Sequence, residues 1–390
     1  AGQLRMVSLE RVVDSPAFRC LLRGLGFAIL AVFLIVGWLG PDDLGRMNPA
    51  PTWLYVWFWV GMVPASLLLG PVWRRVNPLR PSADAIRGVL RLELARLPDW
   101  VGMWPAVVSL AAFLWLELVY DGAASPRTVA WFVAGYSLVH ITAGVVFGPR
   151  WFERGDGFEV YSTVIARASW VGRDNAGSLV LRNPMRGIAA TPTSPSVTPV
   201  VVVVLGSTVF DGVSRSSWWA SLISGTDRIE YLLLGTFGIA GAIAAVAASF
   251  GAAIRVTGRH LRHDVRPLLS ALMGPSLIPI AIGYTVAHYV SFALFQGQQG
   301  YLLGNDPLGR GWDLLGLSDA SIDYTILSAS QIAFLQIGAI VLGHVVAVLS
   351  AHDRSLELTR PAADGMRKQY PLMLVMLLYT GVGVALLSGG

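Results

Sequence analysis

The chain has 390 residues, 54% of them hydrophobic and only 14% charged, with a mean hydropathy of +0.59. A soluble domain is about one quarter charged, so this composition excludes an ordinary soluble protein; apolar runs of about twenty residues match the ~30 Å hydrocarbon core of a bilayer instead. The net charge of +5 comes almost wholly from arginine, Lys368 being the only lysine, and these cations fall between apolar runs without forming an aromatic-interleaved patch, which argues against nucleic acid as a partner.

Nine membrane-spanning helices are predicted in chain order: 24–40, 52–70, 101–120, 128–148, a short one at 199–211, 229–254, a long one at 267–296 with Pro275 and Pro279 as kink positions, 326–350 and 371–387. Arginine clusters precede the first helix (Arg5, Arg11, Arg19, Arg23) and fill alternate connections: Arg74 to Arg96, Arg150 to Arg186, Arg255 to Arg266, and Arg354 to Lys368. The intervening connections are poor in arginine and carry Asp42, Asp43, Asp121, Asp306, Asp313 and Asp323. Cytoplasmic loops are the arginine-rich ones. The fold class is therefore an all-α, polytopic transmembrane helix bundle of about nine helices, N-terminus inside and C-terminus outside.

The domain organisation is a single transmembrane domain over 1–390 with two extramembrane subregions. The inner one, 149–198, opens on Trp151-Phe152-Glu153-Arg154-Gly155-Asp156-Gly157-Phe158-Glu159. It is predicted to hold an interfacial amphipathic helix over 161–170, a short strand at 178–182, and a Thr/Pro/Ser linker. The outer one, 297–325, is rich in Gly and Asp, with apolar patches that fold it back onto the bundle. Cys20 is the only cysteine, which excludes an intramolecular disulfide or a cysteine-cluster metal site.

Ionisable groups at membrane depth are costly and mark candidate sites. In the outer half, His288 is followed by Gln296, Gln298 and Gln299, with Asp306 and Asp313 in the next loop and Asp211 ending the fifth helix. Imidazole with carboxylates suits a divalent metal that activates water. Equally, it suits His288 as a base held by Asp211 or Asp313, while Asp306-Pro307 and Gly311 also read as turn residues.

In the inner half, His344 lies between Gln336 and His352-Asp353, and His140 sits at similar depth, each about 10 Å from the inner boundary at 1.5 Å per residue. Two such histidines would ligate haem or copper. They would equally make interhelical hydrogen bonds. Arg259-His260-Leu261-Arg262-His263 reads as a solvated inner loop. Trp53, Tyr55, Trp57, Trp218 and Trp219 read as an aromatic belt, and the glycines near Gly235-Thr236-Phe237-Gly238 as close helix packing.

Several segments together resemble a known family: Gly70-Pro71-Val72-Trp73-Arg74-Arg75-Val76-Asn77-Pro78-Leu79-Arg80, Gly155-Asp156-Gly157-Phe158-Glu159-Val160-Tyr161, Ser207-Thr208-Val209-Phe210-Asp211-Gly212, Ala287-His288-Tyr289, Asn305-Asp306-Pro307-Leu308-Gly309-Arg310-Gly311-Trp312-Asp313, Gly343-His344-Val345 and Ala351-His352-Asp353-Arg354. The set is similar to actinobacterial polytopic membrane proteins labelled fenitrothion-hydrolase-like, over nearly the whole chain. The resemblance implies hydrolysis of an aryl phosphorothioate ester, a multi-pass location in a bacterial plasma membrane, and a helix upstream of Ala1 that would make ten without changing the orientation.

Three functions stay open. One is a metal-assisted hydrolase with His288, Asp211 and Asp313 as catalytic groups and a divalent transition metal held among His288, Asp211, Asp306, His344 and His352. The second is a subunit of a redox complex, with other membrane subunits as partners, binding haem, copper or quinone through His140 and His344. The third is a transporter of a small solute or metal ion. The lack of a Gly-x-Ser-x-Gly elbow argues against serine hydrolysis. The lipid bilayer is the partner common to all three.

Overall fold

The computed structural model describes residues 4–42, 48–174, 176–191, 196–259, 266–358 and 370–388. Asp43, the predicted loop histidines His260 and His263, and Arg360, Arg367 and Lys368 lie outside them. Among the described residues, eight helices are long and apolar enough to cross a membrane, and an apolar helix near the C-terminus follows them. The protein is an all-α integral membrane protein. Its contacts gather into two compact units: residues 1–109, 121–183 and 291–328 form the first, and 110–120, 184–290 and 329–390 the second.

In the first unit, α1 (Pro16–Leu39) starts where the Ser15 side chain accepts the N–H of Phe18 and Pro16 occupies the first turn, two devices that satisfy or remove orphan donors. The second span, α2 (Ala50–Leu69), is wound as a π-helix over Trp53–Val60. Trp53 and Trp57, read from sequence as belt residues, are tied into the first unit. Their indole N–H groups donate to the carbonyls of Gly300 and Gly297 at 2.9 and 3.0 Å, and Tyr55 is buried. After α2 the chain enters two short inner helices, α3 (Val72–Val76) and α4 (Leu79–Leu90), then the spans α5 (Trp104–Leu118), of which residues 110–118 belong to the second unit, and α6 (Pro126–Phe147).

The inner segment after α6 departs from expectation. Its helix, α7 (Gly157–Ile165), starts earlier than predicted and is buried on nearly every side, so it does not lie along the interface. The reason is polar: Asp156 caps α7 by accepting the N–H of Glu159 at 3.1 Å. It also accepts Tyr136 Oη at 2.6 Å and Asn77 Nδ2 at 2.8 Å, while Glu159 pairs with Arg80. These bonds tie α7 to α6 and to the turn before α4, which carries an amphipathic polar segment into the interior. The predicted strand is present as β3 (Leu179–Leu181). It is the centre of a small antiparallel sheet with β1 (Leu4–Arg5) and β2 (Val171–Arg173) on either side.

In the second unit, α8 (Val197–Ser214) contains the run Val200 to Val204, β-branched residues that favour strands in water. In hydrocarbon a lone strand leaves its backbone unpaired, so the run winds as a helix; it is the most buried of the spans. The helices α9 (Ser217–Ile223) and α10 (Arg228–Gly258) follow, α10 opened by a capping box between Asp227 and Glu230. At the predicted kink position, helix Leu269–Met273 tightens to a 3₁₀ turn at Gly274–Leu277, with Pro275 inside it, before α11 (Ile278–Gly304). That helix runs beyond its predicted end at Gln296 and takes in Gln298 and Gln299.

The last span is α12 (Ala329–Leu358), followed by the apolar helix α13 (Tyr370–Ser388). Within the second unit Gly283 and Gly343 meet so closely that a Cβ on either would fall 3.2 Å from the Cα of the other, the small-residue crossing expected between membrane helices. Gly238 likewise makes room for the rings of Phe210 and Trp219.

Two outcomes follow. Arg80→Met leaves the Glu159 carboxylate buried and unpaired, and is expected to cost about 3–5 kcal/mol, read as a lowered thermal midpoint in detergent; Arg80→Met with Glu159→Met recovers most of it. Cys20 is exposed and is the chain's only cysteine, so the inside placement of the N-terminus predicts labelling by an impermeant thiol reagent in inside-out vesicles and none in intact cells.

Candidate functional site

The second unit gathers ionisable side chains from three spans. Asp211 lies in the last turns of α8, His288 and Tyr289 in α11, and Glu117 near the end of α5. Nε2 of His288 lies against Oδ2 of Asp211, and both side chains are more than nine-tenths buried. The other oxygen of Asp211, Oδ1, accepts Nε of Arg215 at 3.2 Å. Arg215 is one helical turn further along, and its side chain is 61% exposed, so it links the buried pair to the surface.

Glu117 completes the cluster. Its Oε1 accepts the Tyr289 hydroxyl at 3.2 Å, while Oε2 is shut away from the surface with no hydrogen-bond partner among the described residues. Both Asp211 and Arg215 lie close enough to act on it electrostatically. A buried carboxylate oxygen without a donor is expensive, and in a membrane span such a group marks a working site by default. Two pairs, His288 with Asp211 and Tyr289 with Glu117, each set a proton-bearing group against a carboxylate, and Asp211 acts on Glu117 electrostatically; His288 can serve as a base oriented by Asp211.

The other predicted site residues fall elsewhere. Asp306 and Asp313 belong to the first unit, in the loop after α11. Asp306 accepts the N–H groups of Arg310 and Gly311 at 2.8 and 2.6 Å, closing a turn. Desolvation alone would raise its pKa, but those N–H groups outweigh it and hold the carboxyl below its usual value. Asp313 accepts Nδ2 of Asn305 at 2.8 Å, which likewise holds it low. Both aspartates thus do the turn-building that their sequence context suggested.

His140 belongs to the first unit and His344 to the second. His140 accepts the Trp151 indole N–H at its Nδ1, 3.0 Å away, and packs its ring 4.1 Å from that of Tyr136. Nδ1 of His344 bonds the Ile340 carbonyl at 2.8 Å, and its Nε2 is buried without a hydrogen-bond partner among the described residues. His352 is half-buried in α12. Among the described residues, no three His, Cys, Asp or Glu side chains are gathered as the ligands of a metal would be.

The pairing of Asp211 with His288 was open to sequence reasoning; Glu117 and Tyr289 were not singled out. Glu117 had one signal, a lone carboxylate inside Phe113-Leu114-Trp115-Leu116-Glu117-Leu118. Comparison with protein-family models, curated proteins and solved structures finds no match for the chain.

If Asp211 and His288 act as a unit, their substitutions are strongly non-additive. A cycle of Asp211→Asn, His288→Gln and the double variant, followed by thermal unfolding in detergent, is expected to give a coupling of about 1–3 kcal/mol. Additivity would mean that the contact contributes nothing.

Proposed function

We propose that this integral membrane protein is proton-coupled, and that Glu117, Asp211 and His288 form the intramembrane site that takes up and releases the proton. The observation that carries the reading is the Glu117 carboxylate, with one oxygen on Tyr289, the other without a hydrogen-bond partner among the described residues, and Asp211 of the buried His288–Asp211 pair within electrostatic reach. Chains of Asp, Glu and His side chains within membrane spans are the usual hardware of proton relays in pumps and transporters. Arg215, bonded to Asp211 and largely exposed, gives the cluster an electrostatic handle at one surface. Transport of a small solute driven by that proton is the corresponding activity.

A second reading rests on the same pair. The family resemblance implies a hydrolase acting on an apolar ester, and His288 with Asp211 behind it has the arrangement of a base that activates water. In that reading Glu117 is peripheral. The same resemblance implies a bacterial plasma membrane as the location.

Infrared difference spectra of the lipid-reconstituted protein, taken between acid and alkaline buffer, test the first reading. A carboxyl band that changes with pH, is missing in Glu117→Gln and is shifted in His288→Gln is the expected result. A spectrum unchanged in Glu117→Gln would overturn it. Turnover of an aryl phosphorothioate ester that vanishes in His288→Ala but persists in Glu117→Gln would favour the second reading.

A further inference from the structure

The first unit contains a cavity of about 270 Å³ that the proton site does not use. The π-helical stretch of α2 forms one wall through Trp57, Phe58 and Gly61, and α1 forms another through Ile29, Leu30 and Phe33. Ile29 and Trp57 are among the exposed apolar residues, so in a membrane span the cavity opens sideways into lipid. Its lining is almost wholly apolar, which excludes an ionic solute as its occupant.

The inner mouth differs in character. Gly26, where α1 meets Val76 of α3, lines the inner end of the cavity. Arg19, Arg23, Gly26, Leu30 and Phe33 follow one another at spacings of four, three, four and three, so they share one face of α1. That face leads from two exposed arginines straight into the cavity. Arg75 stands on α3 beside the lining residues Val72, Trp73 and Val76. Arg19, Arg75 and Arg173 all lie within electrostatic reach of Asp14, which contacts Arg173. Three guanidinium groups around one carboxylate leave the mouth positive.

We propose that this cavity holds one acyl chain of an anionic glycerophospholipid of the inner leaflet, with its phosphate at Arg19, Arg23 and Arg75. Charge complementarity chooses the occupant: the arginine-rich side is the one that faces the negative leaflet, and basic groups there recognise anionic head groups. The apolar walls take the chain and the arginines take the phosphate, so neither a free phosphate nor an uncharged apolar molecule uses both features. The site lies wholly in the first unit and stands independently of the proton-transfer reading.

Native mass spectrometry tests it directly. The protein is reconstituted in nanodiscs of equal phosphatidylglycerol and phosphatidylcholine with identical chains, and the lipid retained after release is identified. One phosphatidylglycerol retained in preference to phosphatidylcholine is expected. Arg19→Gln with Arg75→Gln, both outside the packed interior, should lower that preference about tenfold. Ala65→Phe, which fills the cavity from α2, should remove retention of both lipids. Equal retention of the two lipids by the wild type overturns the proposal. So does an unchanged preference in the double arginine variant, or undiminished phosphatidylglycerol in a folded Ala65→Phe protein.

Discussion

In hydrocarbon, no water is present to satisfy a peptide N–H or C=O, and each one left unpaired costs several kcal/mol. Every other feature of this protein is arranged around that constraint. It turns the valine run of α8, a strand-former in water, into the most buried helix of the molecule. It confines strands to a three-stranded sheet outside the spans. It also sets the terms for polar side chains, because one that enters a span must bring or find a partner.

The two units meet those terms differently. In the first, Asp156 alone accepts from Tyr136, Asn77, Trp73 and the α7 backbone, and Glu159 meets Arg80. That network is a scaffold: its groups hold α7 within the unit and have little chemistry left over. In the second, Asp211 is shared between His288 and Arg215, while Glu117 keeps an oxygen without a donor among the described residues. Incomplete satisfaction in a low-dielectric setting is costly, and it is also what allows a group to exchange a proton. The contrast between a closed polar network and an open one is the physical basis on which a site is proposed in the second unit.

The π-helical stretch Trp53–Val60 adds a further division of labour. Widening of this kind is rare and recurs at functional positions. Here it sets Trp53 and Trp57 to donate to the Gly300 and Gly297 carbonyls, and the absence of a side chain at Gly300 lets the Trp57 indole approach. The same stretch walls the apolar cavity. Tryptophans that a hydropathy pattern assigns to the membrane boundary thus become interhelical ties, since an indole N–H within a bundle must be paired as surely as a peptide group.

By itself the amino-acid sequence determined the membrane class, the positions of the spans and the close packing at Gly238, because these depend on local composition and on a slab of known thickness. It brought Asp211 and His288 forward as a pair, since intramembrane ionisable residues are few. Only the tertiary structure decided what each polar group meets. Asp306 accepts the backbone N–H of Arg310 and Asp313 accepts Asn305 Nδ2 within their own loop; His140 is held by Trp151; Glu117, overlooked at a predicted helix end, lies within electrostatic reach of Asp211. Helices 117, 211 and 288 residues along the chain share no sequence pattern that sets their rotation about their axes. That rotation comes from packing between spans, and it decides which carboxylate faces an imidazole and which faces a backbone N–H.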